Sequence, residues 1–160
     1  MGDCLIKLLE EIGAAKAMLA GQSLGSWVSQ YAAYKYPERV SAIVSIGGTP
    51  LHQGVGRAFM LIQRLMMVAC KIIPDKAFLR WIARTRAVTL EAQLYFEESL
   101  LKMGRKQFEY VWKGMLKANA GIPEAPRQPL LITLGEHEST KMLHRISAEW
   151  HAGTPGSRYQ

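Results

Sequence analysis

A serine hydroxyl attacks a carbonyl well only when the backbone lifts it clear of its neighbours and aims an amide at the charge that develops. The pentapeptide Gly21-Gln22-Ser23-Leu24-Gly25 has the residue types for both tasks. It follows a short apolar run, Ala17-Met18-Leu19-Ala20, that reads as a buried strand. It precedes Ser26 to Tyr36, which reads as a helix. G-x-S-x-G between a strand and a helix is the context of a nucleophile elbow. So tight a turn is expected to strain the serine backbone, and to leave no room for side chains at Gly21 and Gly25. The Ser23 hydroxyl would stand above the sheet, and the Leu24 N–H would face a developing oxyanion. An ordinary turn with a serine N-cap would share the pentapeptide, so the flanking elements decide.

Those elements are well punctuated. Asp3 to Glu11 is an amphipathic helix with Leu5, Leu8, Leu9 and Ile12 on one face, and Gly13 marks its end. In the helix after the elbow, Trp27, Tyr31 and Tyr34 recur at intervals of four and three, which predicts one buried face. Pro37 pushes Tyr36 out of helical space, so that helix must stop there. Val40 to Ile46 is a second strand, apolar at nearly every position. That pattern predicts a parallel sheet with helices on both faces. Gly47-Gly48-Thr49-Pro50 closes it.

The stretch from Ile12 to Leu51 resembles the centre of an α/β-hydrolase, in the esterase and lipase-like branch. That branch carries G-[HQ]-S-x-G, a helix ending in Y-P-E-[RK]-V, and a strand ending in small residues and T-P-L. Ser26 stands where many relatives have a second glycine. The resemblance implies part of a doubly wound, mostly parallel sheet with an inserted helical cap. The expected division is 1–53 and 123–160 for the sheet, with 54–122 as the cap.

Residues 54 to 119 are helical in pattern, with breaks at Pro74, Gly104 and Gly121. Four helices are predicted, near Val55–Ile72, Lys76–Thr85, Thr89–Met103 and Lys106–Ala118. The first is rich in Phe59, Met60, Leu61, Ile62, Leu65, Met66, Met67 and Val68. These side chains either pack on other elements or form a pliable pocket for a hydrophobic substrate. Leu130 to Leu134 is a third strand, ending in Gly135-Glu136-His137-Glu138. The family places its triad acid in such a loop, and Glu138 falls on that position, with Glu136 the weaker alternative. Ser139 to Trp150 reads as a helix and residues 157–160 as the start of a further strand.

The resemblance also implies parts that these residues lack. The family's histidine follows one more strand, and none of His52, His137, His144 and His151 stands there. The early strands and the loop with the second oxyanion donor are absent too. The expectation is therefore a piece of an α/β-hydrolase, inactive alone for want of the histidine, with one bare edge beside Ala17–Ala20.

Composition narrows the partners. The chain has 160 residues, enough for a real core, and a net charge of +7. Its basic residues are spaced along helices without interleaved aromatic platforms, so no nucleic-acid partner is expected. Cys4 and Cys70 have no framework spacing and fit reduced thiols, which points to the cytoplasm. Neither a signal peptide nor a membrane-spanning run is visible. His137, His144 and His151 recur every seven residues without a fourth ligand, so no metal site is expected, and a serine mechanism requires no organic cofactor. The reading is a serine hydrolase acting on a small ester or other acyl substrate, apolar in character, through Ser23, Glu138 and the Leu24 amide. Two alternatives stay open: a non-catalytic binding protein on the same sheet, and a membrane-surface module built on the basic, apolar cap. Oligomeric state is not legible.

Overall fold

The structure is a computed structural model that describes residues 1–54, 56–118, 121–138 and 141–160. The side chains of residues 57–59, 63, 66, 69 and 70 lie outside the description. The expectations for Phe59, Met66 and Cys70, and the helix starts at Val55 and Ser139, therefore lie outside the described residues. In chain order the elements are α1 (Gly2–Glu11), β1 (Ala17–Gln22), α2 (Leu24–Lys35), a single 3₁₀ turn (Pro37–Arg39) and β2 (Val40–Ile46). Then come α3 (Arg57–Ile72), α4 (Asp75–Arg86), α5 (Leu90–Ala118), β3 (Leu130–Thr133), α6 (Lys141–Ala152) and β4 (Arg158–Tyr159). The chain divides into two compact units, one of residues 1–54 and 121–160, the other of residues 55–120.

The first unit is built on one parallel sheet in the order β1-β2-β3-β4. Its register puts Leu19, Ile43 and Leu130 in one row, and Gly21, Ser45 and Ile132 in the next but one. These rows face the core, where Ile6 and Leu9 of α1, Ala32 and Ala33 of α2, and Trp150 of α6 join them. The intervening row, Ala20, Val44 and Leu131, points the other way because strand side chains alternate. On that face Met18 is 64% exposed and Ile46 41%. Within the sheet unit, α1, α2 and α6 thus pack together on the Leu19 and Ile43 side of the sheet. The run Ala17–Ala20, expected to be buried, has only Leu19 fully inside.

The α2 helix also departs from its pattern. Tyr31 and Tyr34 are only half-buried. The buried face is instead Ser26, Trp27, Ser29, Gln30, Ala32 and Ala33. Small side chains let the helix lie close on the sheet, where bulky tyrosines would hold it off. Arg39 fastens the α1–β1 connection by donating to the carbonyls of Ala14 and Ala15. Asp3 accepts from Lys35 Nζ and Tyr36 Oη, which ties α1 to the end of α2 and holds the Asp3 carboxyl below its usual range.

The described elements of the second unit are all helices, α3, α4 and α5. Phe78, Leu79, Ile82 and Ala83 of α4 pack with Leu100 of α5, flanked by Phe96 and Phe108. Ion pairs Arg80–Glu97 (2.9 Å) and Arg105–Asp75 (2.8 Å) join the two helices at their surface. α5 is kinked at Gly104, whose φ of 73° and ψ of 161° suit only glycine. The break foreseen there is a kink between two helical halves.

Candidate active site

The strands are parallel, so their C-terminal ends meet at one edge, where Gln22, Ile46 and Thr133 are register partners. Ser23 follows Gln22 directly. Its φ of 50° and ψ of −111° make it, among the described residues, the one non-glycine residue with positive φ. Such a conformation costs of order 1–3 kcal/mol and persists only where neighbours enforce it. The enforcing contacts are local. Ser23 N–H donates to the Ile46 carbonyl (2.9 Å), and the Ser26 N–H to the Ser23 carbonyl (3.1 Å). The Ser23 side chain is exposed. Leu24 opens α2, so its N–H belongs to the first turn, where no helix carbonyl can accept it.

The two glycines of the pentapeptide play unequal parts. A Cβ on Gly21 would lie 2.2 Å from the backbone carbon of Gly25 and 2.3 Å from its oxygen. A Cβ on Gly25 would meet nothing within 4 Å among the described atoms. The expected crowding thus exists at Gly21 and is missing at Gly25, because the close approach is of side chain 21 to backbone 25.

Beneath the elbow lies a polar cluster that sequence reasoning missed. Ser26 Oγ is 2.7 Å from Ser45 Oγ on β2, and Gln30 Nε2 donates to Ser26 Oγ (3.0 Å) and to the Thr49 carbonyl (3.0 Å). Gln30 Oε1 accepts from the Leu51 N–H (2.8 Å). Trp27 Nε1 donates to Thr49 Oγ1 (3.0 Å). Ser26, Gln30 and Ser45 are fully buried, and every one is satisfied. The serine in place of a second glycine is therefore a hydrogen-bonding partner. One clue was available: Ser26 and Gln30 stand four apart, on the helix face that also carries Trp27 and Ala33. Gly48 has its own reason. A Cβ there would fall 2.4 Å from Ser26 Oγ and 2.6 Å from Ser45 Oγ.

This clamp holds the loop after β2, and with it His52. The imidazole is partly buried, its Nδ1 has no hydrogen-bond partner among the described residues, and burial pushes its pKa down. Two strands from β1 and the Ser23 turn, about 10 Å at sheet spacing, β3 leads into the loop with Glu136, His137 and Glu138. Glu136 and His137 are exposed, whereas Glu138 is half-buried. The Glu138 N–H donates to the Gly135 carbonyl (3.0 Å), and His144 Nε2 lies 3.0 Å from the Glu138 carbonyl. His144 thus braces the loop through its backbone. His151 Nδ1 lies 2.8 Å from Ser157 Oγ, next to β4. Among the described residues no group of three or more His, Cys, Asp or Glu could hold a metal ion.

Known proteins place this architecture. No curated protein matches the chain. A carboxylesterase structure from Nitrososphaera gargenis superposes with a TM-score of 0.76 at 19% identity, over 99% of this chain and 60% of that one. A meta-cleavage product hydrolase from Pseudomonas fluorescens gives 0.70 at 19%, over 99% and 60%. A bromoperoxidase from Bacillus anthracis gives 0.69 at 18%, over 99% and 63%. The chain therefore spans about 60% of the length of these structures, and at such identities they show the fold alone. The sequence model of the alpha/beta hydrolase fold matches residues 1–149. With a four-stranded parallel sheet, a strained serine at its C-terminal edge and that match, the chain belongs to the α/β-hydrolase fold family.

Proposed function

We propose that the protein is a serine hydrolase that cleaves an ester or another acyl substrate, with Ser23 as nucleophile. The observation that carries this reading is the Ser23 backbone, φ 50° and ψ −111°, at a strand-to-helix turn. Strain of that kind is kept where it serves a site. Ser23 Oγ attacks the substrate carbonyl while a histidine takes its proton. The Leu24 N–H donates to the oxyanion. Glu138 fixes the tautomer of the histidine and stabilises the imidazolium as it forms. The histidine then protonates the leaving group, and water releases the acyl-enzyme by the reverse sequence.

The burial of Glu138, against the exposure of Glu136, supports the assignment of the acid. None of the four histidines within these residues stands at the family position. The base is assigned to the part of the fold that this chain does not span. The helical unit of residues 55–120 is assigned as the family's cap insertion, and no cofactor enters the reaction. Hydrolysis of p-nitrophenyl acyl esters by the product of the complete reading frame tests the reading. Ser23→Ala is expected to lower turnover by 10³-fold or more. Substantial remaining turnover would remove Ser23 from the role.

A further inference from the structure

Net charge is segregated between the two units. Residues 55–120 hold twelve of the twenty lysines and arginines but five of the thirteen acidic residues, a net +7. The sheet unit holds eight of each and is neutral. Within the basic unit, α3 carries Arg57, Arg64 and Lys71 and no acidic residue, and no acid occurs anywhere between Glu38 and Asp75.

The same helix exposes an apolar stripe. Leu61, Leu65, Val68 and Ile72 follow the spacing i, i+4, i+7, i+11, which lines one helix face for about 16 Å. Each is more than half exposed, with values of 59%, 59%, 55% and 77%, and Ile62 beside them is 56% exposed. Arg64 and Lys71, seven residues apart, are exposed and run along one border of the stripe. Long basic side chains beside an apolar stripe can reach a headgroup layer while the stripe enters the acyl boundary.

We propose that α3 docks on the surface of an anionic lipid bilayer and lies in its plane. Insertion across the membrane does not enter, since no helix among the described residues is long and apolar enough to cross one. A second copy of the chain fits this face poorly. Self-pairing would bring Arg64 and Lys71 towards their own counterparts, with no acid on α3 to answer them. Nucleic acid would match the charge and leave the aliphatic stripe without a partner.

Co-sedimentation of the 160-residue chain with phosphatidylcholine vesicles, with and without 30% phosphatidylglycerol, tests the docking and needs no turnover. Binding is expected to the anionic vesicles and to weaken steeply with salt. Arg64→Glu with Lys71→Glu should reduce binding about tenfold or more. Leu65→Ser with Val68→Ser should reduce it by a similar factor. The stripe is solvent-exposed, so circular dichroism should show both variants folded. Three results would overturn the proposal: no binding to anionic vesicles, equal binding by the Leu65→Ser/Val68→Ser protein, or a lipid-free dimer that those same substitutions dissociate.

Discussion

Ser23 and Gly21 form one device. The serine takes a costly backbone conformation, and the glycine provides the space in which the turn closes. Gly21→Ala places a methyl within 2.3 Å of the Gly25 backbone, which no rotamer change relieves. We expect it to cost about 3 kcal/mol or more in urea unfolding. The same substitution at Gly25, open in this structure, should cost far less; equal effects would show that the crowding at Gly21 is not the cause. Glu138 and Glu136 make a second pair of unlike neighbours. Glu138→Gln should cut ester turnover by a factor of 10² or more in the complete enzyme, and Glu136→Gln should leave it within about twofold. The reverse ranking, measured as kcat/KM, would move the acid to Glu136.

At the scale of elements, α2 is the organiser. It starts directly after Ser23, packs on the sheet through small side chains, and through Gln30 and Trp27 holds the loop after β2. The first link is Ser26 to Ser45, so elbow and β2 share one buried polar network. Gln30→Leu keeps the volume but leaves the Leu51 N–H, the Thr49 carbonyl and Ser26 with fewer partners. A loss of about 1–3 kcal/mol is expected, chiefly from the stranded Leu51 amide. Unchanged stability would mean that water or another group replaces the glutamine. If the loop is displaced, the environment of the His52 ring should change with it, which NMR titration of the imidazole would report.

At the scale of the whole molecule, the free edge of β1 among the described residues is a liability. Among the described residues β1 pairs only with β2, and its sequence carries neither charge nor proline to protect the free edge. Met18 and Ile46 add exposed apolar area. The 160-residue chain is therefore expected to self-associate in sedimentation velocity, and Met18→Lys should shift it towards monomer. A monomeric, cooperatively melting wild-type chain would refute this. Such association involves β1 in the sheet unit, so variants on α3 should leave it intact.

Local pattern alone determined the elbow, the order of strands and helices, the stop at Pro37, the kink at Gly104 and the family. Each of these depends on residues close in sequence, whose steric limits operate within a turn or two. Which face of each element is buried was decided by tertiary structure. Val40–Ile46 is apolar at nearly every position, yet Ile43 is fully buried and Ile46 is exposed, because alternating side chains learn their surroundings from distant elements. The tyrosines of α2 yielded their expected burial to serines, a glutamine and alanines for the same reason: the helix–sheet distance sets the side-chain size. The link from Ser26 through Gln30 to Leu51 joins residues up to twenty-five positions apart, and only folding brings them within hydrogen-bond reach.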